Sequence, residues 1–249
     1  MAINQNRFID NLLYKLFFKN LKVILLAEQL YSDIKKYVSK KDIYICPNGI
    51  PQQTNMLRNE KHDGFNILFL SNMMKEKGVL DLLDACKILK EKGKTFHCKF
   101  IGKWSDISEE FFYGYINKLQ IQDVVKAYGA KYGDDKKPFL ETSDCFILPT
   151  HNECFPLVLL EAMEYGIACI APDEGGIKSI IDEDKNGLIF VKKDPKSLAQ
   201  KIEYLIDNPS ICKKMGEAGR SKFLNNYTID KFENNMRDIL IKIINDDKH

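Results

Sequence analysis

Asp144-Cys145-Phe146-Ile147-Leu148-Pro149-Thr150-His151-Asn152-Glu153-Cys154-Phe155-Pro156-Leu157-Val158-Leu159-Leu160-Glu161-Ala162-Met163 is the stretch from which the rest of this chain is best read. Its first six residues form an apolar run stopped by proline, the pattern of a buried strand. From Pro156 onward the pattern is helical, with proline expected at the first helical position, where its missing N–H costs nothing. Glu153 then lies in the strand-to-helix loop and Glu161 on the second helical turn. The amides of Phe155, Leu157 and Val158 would face outward from a helix N-terminus, which attracts anions such as a diphosphate. A carboxylate beside such a cradle repels phosphate unless it accepts hydrogen bonds from hydroxyls. Two carboxylates flanking the cradle therefore point to a ligand both phosphorylated and hydroxyl-rich, and a nucleotide sugar fits. The plainer reading, two solvated glutamates spaced by chance, would win on the pair alone. The strand, the prolines and small Ala162 tip the balance.

Outward from this segment, short apolar runs alternate with longer amphipathic ones. Strands are expected at Asn66–Ser71, His97–Gly102, Val124–Tyr128, Asp144–Leu148, Ile167–Ala171 and Gly187–Val191. Helices are expected at Val79–Glu91, Glu109–Leu119, Lys136–Thr142, Pro156–Tyr165, Ile177–Ile181 and Ser197–Ile206. Strict alternation implies right-handed crossovers and a parallel sheet covered on both faces, a doubly wound α/β domain of Rossmann-like type. Its ligand would sit at the carboxyl ends of the strands.

The ends differ. Residues 1–50 pair an apolar face of Phe8, Leu12, Leu13, Leu16 and Phe17 with strands at Lys22–Ala27 and Asp42–Cys46 and a helix at Gln29–Val38. Residues 51–65 are polar and read as a linker, 66–227 as the main domain and 228–249 as a C-terminal helix. The helices Ile211–Phe223 and Asp230–Ile244 are split near Tyr227-Thr228.

Composition sets further bounds. A net charge of +2 without a basic tract argues against nucleic acid as a partner. Only Arg7, Arg58, Arg220 and Arg237 are arginines, so phosphate contacts would fall to lysine. Seven cysteines without a C-x-x-C pair imply a reducing compartment rather than disulfides or zinc. Val23–Ala27 is too short to span a bilayer. The expectation is a cytoplasmic protein, with a peripheral position at the inner face of the membrane as a variant.

With these residues in view, Glu153 and Glu161 resemble the E-x7-E signature of retaining GT-B glycosyltransferases, glycosyltransferase family 4 (group 1) in particular. Pro47-Asn48-Gly49-Ile50 is similar to that family's interdomain linker signature, and Lys77-Gly78-Val79 to its lysine-glycine pair. Gly175-Gly176-Ile177 and Asn186-Gly187-Leu188 resemble its later glycine loops. Each tripeptide is weak alone; their order on an alternating α/β pattern is specific. The resemblance implies that Glu161 binds the donor ribose, that Glu153 lies at the donor sugar as the catalytic-side carboxylate, and that Lys77 contacts the diphosphate. It also implies that Lys131 contacts the base through its backbone. The donor would be a nucleotide-diphospho-sugar, with neither cofactor nor metal, and the acceptor a sugar or lipid-linked molecule.

Four positions depart from the family pattern: Ser71-Asn72 stands where Gly-Arg is usual, Cys154 where glycine is, and Ser179 where glutamate is. Asn72 can hydrogen-bond a phosphate but adds no charge. Cys154 reads as a small packing group, His151 as an exposed loop residue and Trp104 as either pocket wall or packing. GT-B enzymes have two Rossmann-like domains, and residues 1–50 read as the tail of the first. The chain is then expected to be the C-terminal, donor-binding half of such a fold. The alternatives are an inactive nucleotide-sugar-binding module, a split-enzyme subunit needing a partner chain with the first domain, and a different enzyme on the same fold, such as an epimerase or a phosphorylase-like protein.

Overall fold

A computed structural model describes residues 8–53 and 64–246. Residues 54–63 of the expected linker lie outside it, and so does the Phe8 side chain. In chain order the strands are β1 Val23–Leu25, β2 Ile43–Ile45, β3 Phe65–Leu70, β4 Phe96–Ile101, β5 Val125–Ala127, β6 Cys145–Ile147, β7 Ala168–Pro172 and β8 Gly187–Phe190. The α-helices are α1 Phe8–Phe17, α2 Tyr31–Ile34, α3 Val79–Glu91, α4 Glu109–Leu119, α5 Lys137–Glu141, α6 Leu157–Glu164, α7 Ile177–Ile180, α8 Pro195–Asp207, α9 Pro209–Asn226 and α10 Ile229–Asp246.

Strands β3 to β8 form one parallel sheet in the order β5-β4-β3-β6-β7-β8. Its side chains alternate between two cores. Ile67 and Phe69 of β3 pack with α3, α4 and α8, whereas Leu68 and Leu70 pack with α6, α7 and Phe223 of α9. This period-two split explains why β6 and β7, covered on both faces, read as unbroken apolar runs, whereas β4 and β5 keep His97 and Lys126 exposed. The expected doubly wound, Rossmann-like class is the observed one. Strand order reverses between β3 and β6, and the carboxyl ends of those neighbours frame the crevice that such sheets offer to ligands.

Local chemistry fixes several helix starts. Ser108 Oγ accepts from Phe111 N at 3.1 Å ahead of α4. Asp194 accepts from Lys196 N and Ser197 N at 2.9 and 3.1 Å ahead of α8, whose first residue is proline. Two sequence expectations fail locally. The stretch Gln29–Val38 is a 3₁₀ turn at Glu28–Leu30 followed by the single turn of α2. Neither piece has a side-chain cap to support a longer helix. Pro156 is the N-cap, extended at φ −77° and ψ 110°, and α6 begins one residue later. Phe155, buried and edge-on to Tyr227 at 6.1 Å, holds the chain extended there.

The first segment forms a separate parallel pair, β1 with β2. It is tied to the main domain where Ile50 pairs with the Tyr227–Ile229 turn and where Ala27, Leu26 and Leu30 pack into the core beside α6 and α7. Ile50 N donates to Tyr227 O at 2.9 Å, and Ile229 N donates to Ile50 O at 2.9 Å. From this junction α10 runs back along β2, where Lys242 Nζ lies 5.7 Å over the Tyr44 ring and Tyr44 Oη lies 3.4 Å from Asp246 Oδ2. Leu12, Leu13, Leu16 and Phe17 of α1 are all more than half exposed. Among the described residues no helix is long and apolar enough to cross a membrane.

Candidate functional site

The crevice at the strand reversal is lined by two loops: the one leaving β3 (71–78) and the one joining β6 to α6 (148–156). They are tightly apposed. His151 N donates to Glu76 O at 2.7 Å, and a Cβ added at Gly78 would stand 1.9 Å from Pro149 O. Gly78 has φ +71°, so glycine there meets both a backbone and a space requirement. This contact places Lys77 against Glu153, with Nζ 2.8 Å from Oε2. The same carboxylate accepts from Cys154 N through Oε1 at 3.1 Å. A third loop closes over them: Gly175 has φ +53°, and a Cβ there would meet Glu153 O at 2.1 Å, while Gly176 N donates to Cys154 O at 2.7 Å.

Glu161 is one side of a second ion pair, its Oε2 2.6 Å from Lys136 Nζ. Each member of both pairs keeps between 18 and 24% of its side chain accessible, so the charges are within reach of a ligand. Leu157 is exposed and Val158 half-buried, and helix geometry leaves their first-turn amides without intrahelical acceptors. Phe155 is buried in the core and could offer only backbone.

Asn72, Lys131 and Val158 share a cleft of about 170 Å³ with Lys103, Tyr132 and Lys136. A second cavity, about 220 Å³, adjoins it across Lys136 and includes Gln53, Asp134, Glu161, Glu164 and Tyr165. The structure thus brings the sequence-derived residues into one region as two groups: Lys77 with Glu153 at the strand reversal, and Asn72, Lys131 and Val158 in the cleft. Glu161 is linked to the cleft through Lys136.

Other partners were not evident from sequence. Lys136 and Lys103 sit in charged or turn-like loops without a periodic signal. Lys192, on the loop after β8, pairs with Glu174, and only the sheet order brings those loops together. His151 is not the exposed loop histidine expected: its Nε2 lies 2.6 Å from Asp81 Oδ2 of α3, and the ring is mostly covered. Cys154 is exposed rather than packed, and its thiol is held above the usual range by desolvation and by the Glu153 charge. Trp104 resolves to packing, 5.5 Å from the Phe112 ring. Glu164 is buried, accepts from Gln53 N at 2.5 Å, and is pushed up by that burial.

A family model described as "Glycosyl transferases group 1" matches residues 52–222, about two thirds of the chain. The chain belongs to that family. Among curated members, the putative colanic acid biosynthesis glycosyltransferase WcaL of Escherichia coli K12 is 31% identical over 144 residues, covering 55% of this chain and 34% of its own length. The capsular polysaccharide biosynthesis glycosyltransferase CapM of Staphylococcus aureus is 28% identical over 190 residues, covering 73% of this chain and 49% of its own. The chain therefore spans between a third and a half of these relatives. Among solved structures, HepE from Anabaena in complex with UDP superposes with a TM-score of 0.76 at 16% identity, over 88% of this chain and 63% of that one. That likeness confirms the fold: this group 1 chain has the Rossmann-like domain of a GT-B glycosyltransferase.

Proposed function

We propose that this group 1 chain is the donor-binding half of a retaining, family 4 glycosyltransferase. It would hold a nucleotide-diphospho-sugar for transfer, hexosyl transfer in the leading version, to a sugar or lipid-linked acceptor in polysaccharide synthesis. The observation that carries the reading is the Lys77–Glu153 pair at the reversal of strand order, ahead of the α6 N-terminus. A cation and a helix N-terminus favour a diphosphate there, and carboxylates on either side of the first helical turn suit hydroxyls. In this reading Lys77 and the amides of Leu157 and Val158 stabilise the departing diphosphate, Glu153 faces the sugar, and Glu161 takes the ribose hydroxyls. Asn72 and Lys131 complete the donor contacts. Fixed groups aimed at a leaving charge account for most of the catalysis expected of such a site.

The exposed apolar residues of α1 and the small, partly buried two-stranded pair β1–β2 favour one qualification. Transfer would require a first domain covering them, supplied on the same polypeptide or by a partner chain. The WcaL and CapM names support polysaccharide synthesis, and the UDP held by HepE supports a nucleotide ligand. The cytoplasm, or the inner face of the membrane, is the matching location.

Calorimetry of the purified chain with uridine, cytidine, guanosine and adenosine diphosphates, with and without EDTA, tests this reading. Binding of at least one that survives the chelator is expected. No binding to any, or binding lost with EDTA, would refute it.

A further inference from the structure

The loop joining β6 to α6 is stitched to the segment that opens α3 at every second residue. Pro149 O stands against Gly78, His151 N donates to Glu76 O at 2.7 Å, and Glu153 Oε2 meets Lys77 Nζ at 2.8 Å. Between the first and last of these contacts lies a further side-chain pair. His151 Nε2 is 2.6 Å from Oδ2 of Asp81, a residue in the first turn of α3, and the two side chains are only 21 and 17% exposed. A carboxylate only accepts, so Nε2 carries the proton of this bond. Lys192 Nζ, from the loop after β8, lies 3.5 Å from His151 O. Buried Thr150 donates from Oγ1 to Asn152 O at 3.0 Å, which tightens the turn on either side of the histidine. His151 is thus held from three segments, whereas the Glu153 carboxylate, two residues on, is held by one lysine and the amide of Cys154.

We propose that His151 and Asp81 are positioning residues for the donor sugar, acting through Glu153; this rests on the donor-binding reading above. An aspartate in the first turn supports α3 with or without a partner. What the histidine adds is a covered, charge-assisted tie between that helix and the loop, stronger and more directional than a surface contact. Two residues of chain span no more than about 7 Å, so movement at 151 reaches 153 with little slack. The diphosphate contacts are less exposed to such movement. Lys77 belongs to the other side of the seam, and α6 is fixed by the full burial of Leu159, Leu160, Ala162 and Met163. Loss of the tie should therefore be felt at the sugar rather than at the phosphates.

Calorimetry on the full chain tests this with the tightest of UDP, CDP, GDP and ADP and with its glucose and N-acetylglucosamine conjugates. His151→Ala is expected to weaken the tighter conjugate about tenfold and the bare diphosphate less than about threefold, the second value also showing that the variant is folded. Asp81→Ala should give the same split, and the two changes together no more than either alone. His151→Gln, whose amide N–H can still reach Asp81, should stay within about threefold of the parent for both ligands. In a Glu153→Gln background, His151→Ala should lose its effect on the conjugate. Equal weakening of both ligands, no effect of His151→Ala, or an undiminished effect in the Glu153→Gln background overturns the positioning role and leaves the donor-binding reading standing. Failure of the parent chain to bind any of the diphosphates, or any of the conjugates, overturns both.

Discussion

Lys136 Nζ lies 2.6 Å from Glu161 Oε2, so the carboxylate assigned to the ribose is already occupied by a cation from the neighbouring loop. The pair is about a quarter exposed, where such a bond contributes on the order of 1 kcal/mol or less. Ribose hydroxyls can therefore displace or share it. Glu161→Gln is expected to weaken a bare nucleoside diphosphate by about 1.5–3 kcal/mol, roughly ten- to 150-fold. Glu153→Gln should change binding of the sugar conjugate but scarcely that of the bare diphosphate. Calorimetry with both ligands on both variants checks this; equal losses throughout would show the two roles to be misassigned.

Asn72 lines the same cleft as Lys103, Lys131 and Lys136, and is exposed. Asn72→Arg should tighten diphosphate binding by adding a bidentate, charge-assisted contact where asparagine gives at most a neutral one. Unchanged or weaker affinity with an intact circular-dichroism spectrum would mean that residue 72 does not reach the phosphates.

Gly78 holds the β3 loop against Pro149 at a left-handed φ. Gly78→Ala should cost at least about 2–3 kcal/mol, from the backbone strain together with the close approach. A thermal midpoint within a degree of the parent would contradict this account of the crevice. Any loss of nucleotide binding should be measured well below the variant's own midpoint, where the chain is folded.

Glu164 offers a pH test. Its carboxyl titrates above the ordinary 4.5 in the folded chain because it is buried, although the Gln53 amide opposes the shift. Above 4.5 the unfolded chain has released this proton while the folded chain still holds it, so this group's contribution to stability falls as pH rises through that window. Glu164→Gln keeps an oxygen for the Gln53 amide and removes the titration. The midpoint of the variant relative to the parent should therefore rise between pH 4 and pH 8. A difference that is flat or falls with pH would disprove the assignment.

The segment Val23–Ile45 should exchange its amides earlier than β3 and β6. A two-stranded pair is marginal on its own, whereas β3 and β6 are central strands buried on both faces. Mass-spectrometric hydrogen exchange resolves the two regions, and protection of β1 and β2 in a monomer to the level of β3 would contradict it.

The sheet was legible because its inner strands are buried on both faces, which leaves an apolar run such as Cys145-Phe146-Ile147 in the sequence. Glu161 was legible because α6 carries it, and Glu153 because it lies in the loop that leads into that helix. Lys136 was not, since its meeting with Glu161 spans 25 residues and depends on how a short 3₁₀ turn delivers it. The Lys77–Glu153 pair spans 76 residues, and only the strand reversal makes its members neighbours. Pro156 was misplaced by one position because the burial of Phe155, a tertiary fact, decides where the helix starts. Cys154 and His151 were misjudged for the same reason: exposure of a loop residue depends on which loop packs over it.

The bridge between Ile50 and Thr228 has a further consequence. The polypeptide enters and leaves the six-stranded sheet at one point, so everything between these residues forms a loop closed upon itself. A unit whose ends touch can be moved into a different host, or joined end to end and reopened elsewhere, with little strain on its interior. The sheet and its cleft are in this sense a cassette, whose other tie to the first segment is the packing of Ala27 beside Gly176 and of Leu26 and Leu30 on the same core.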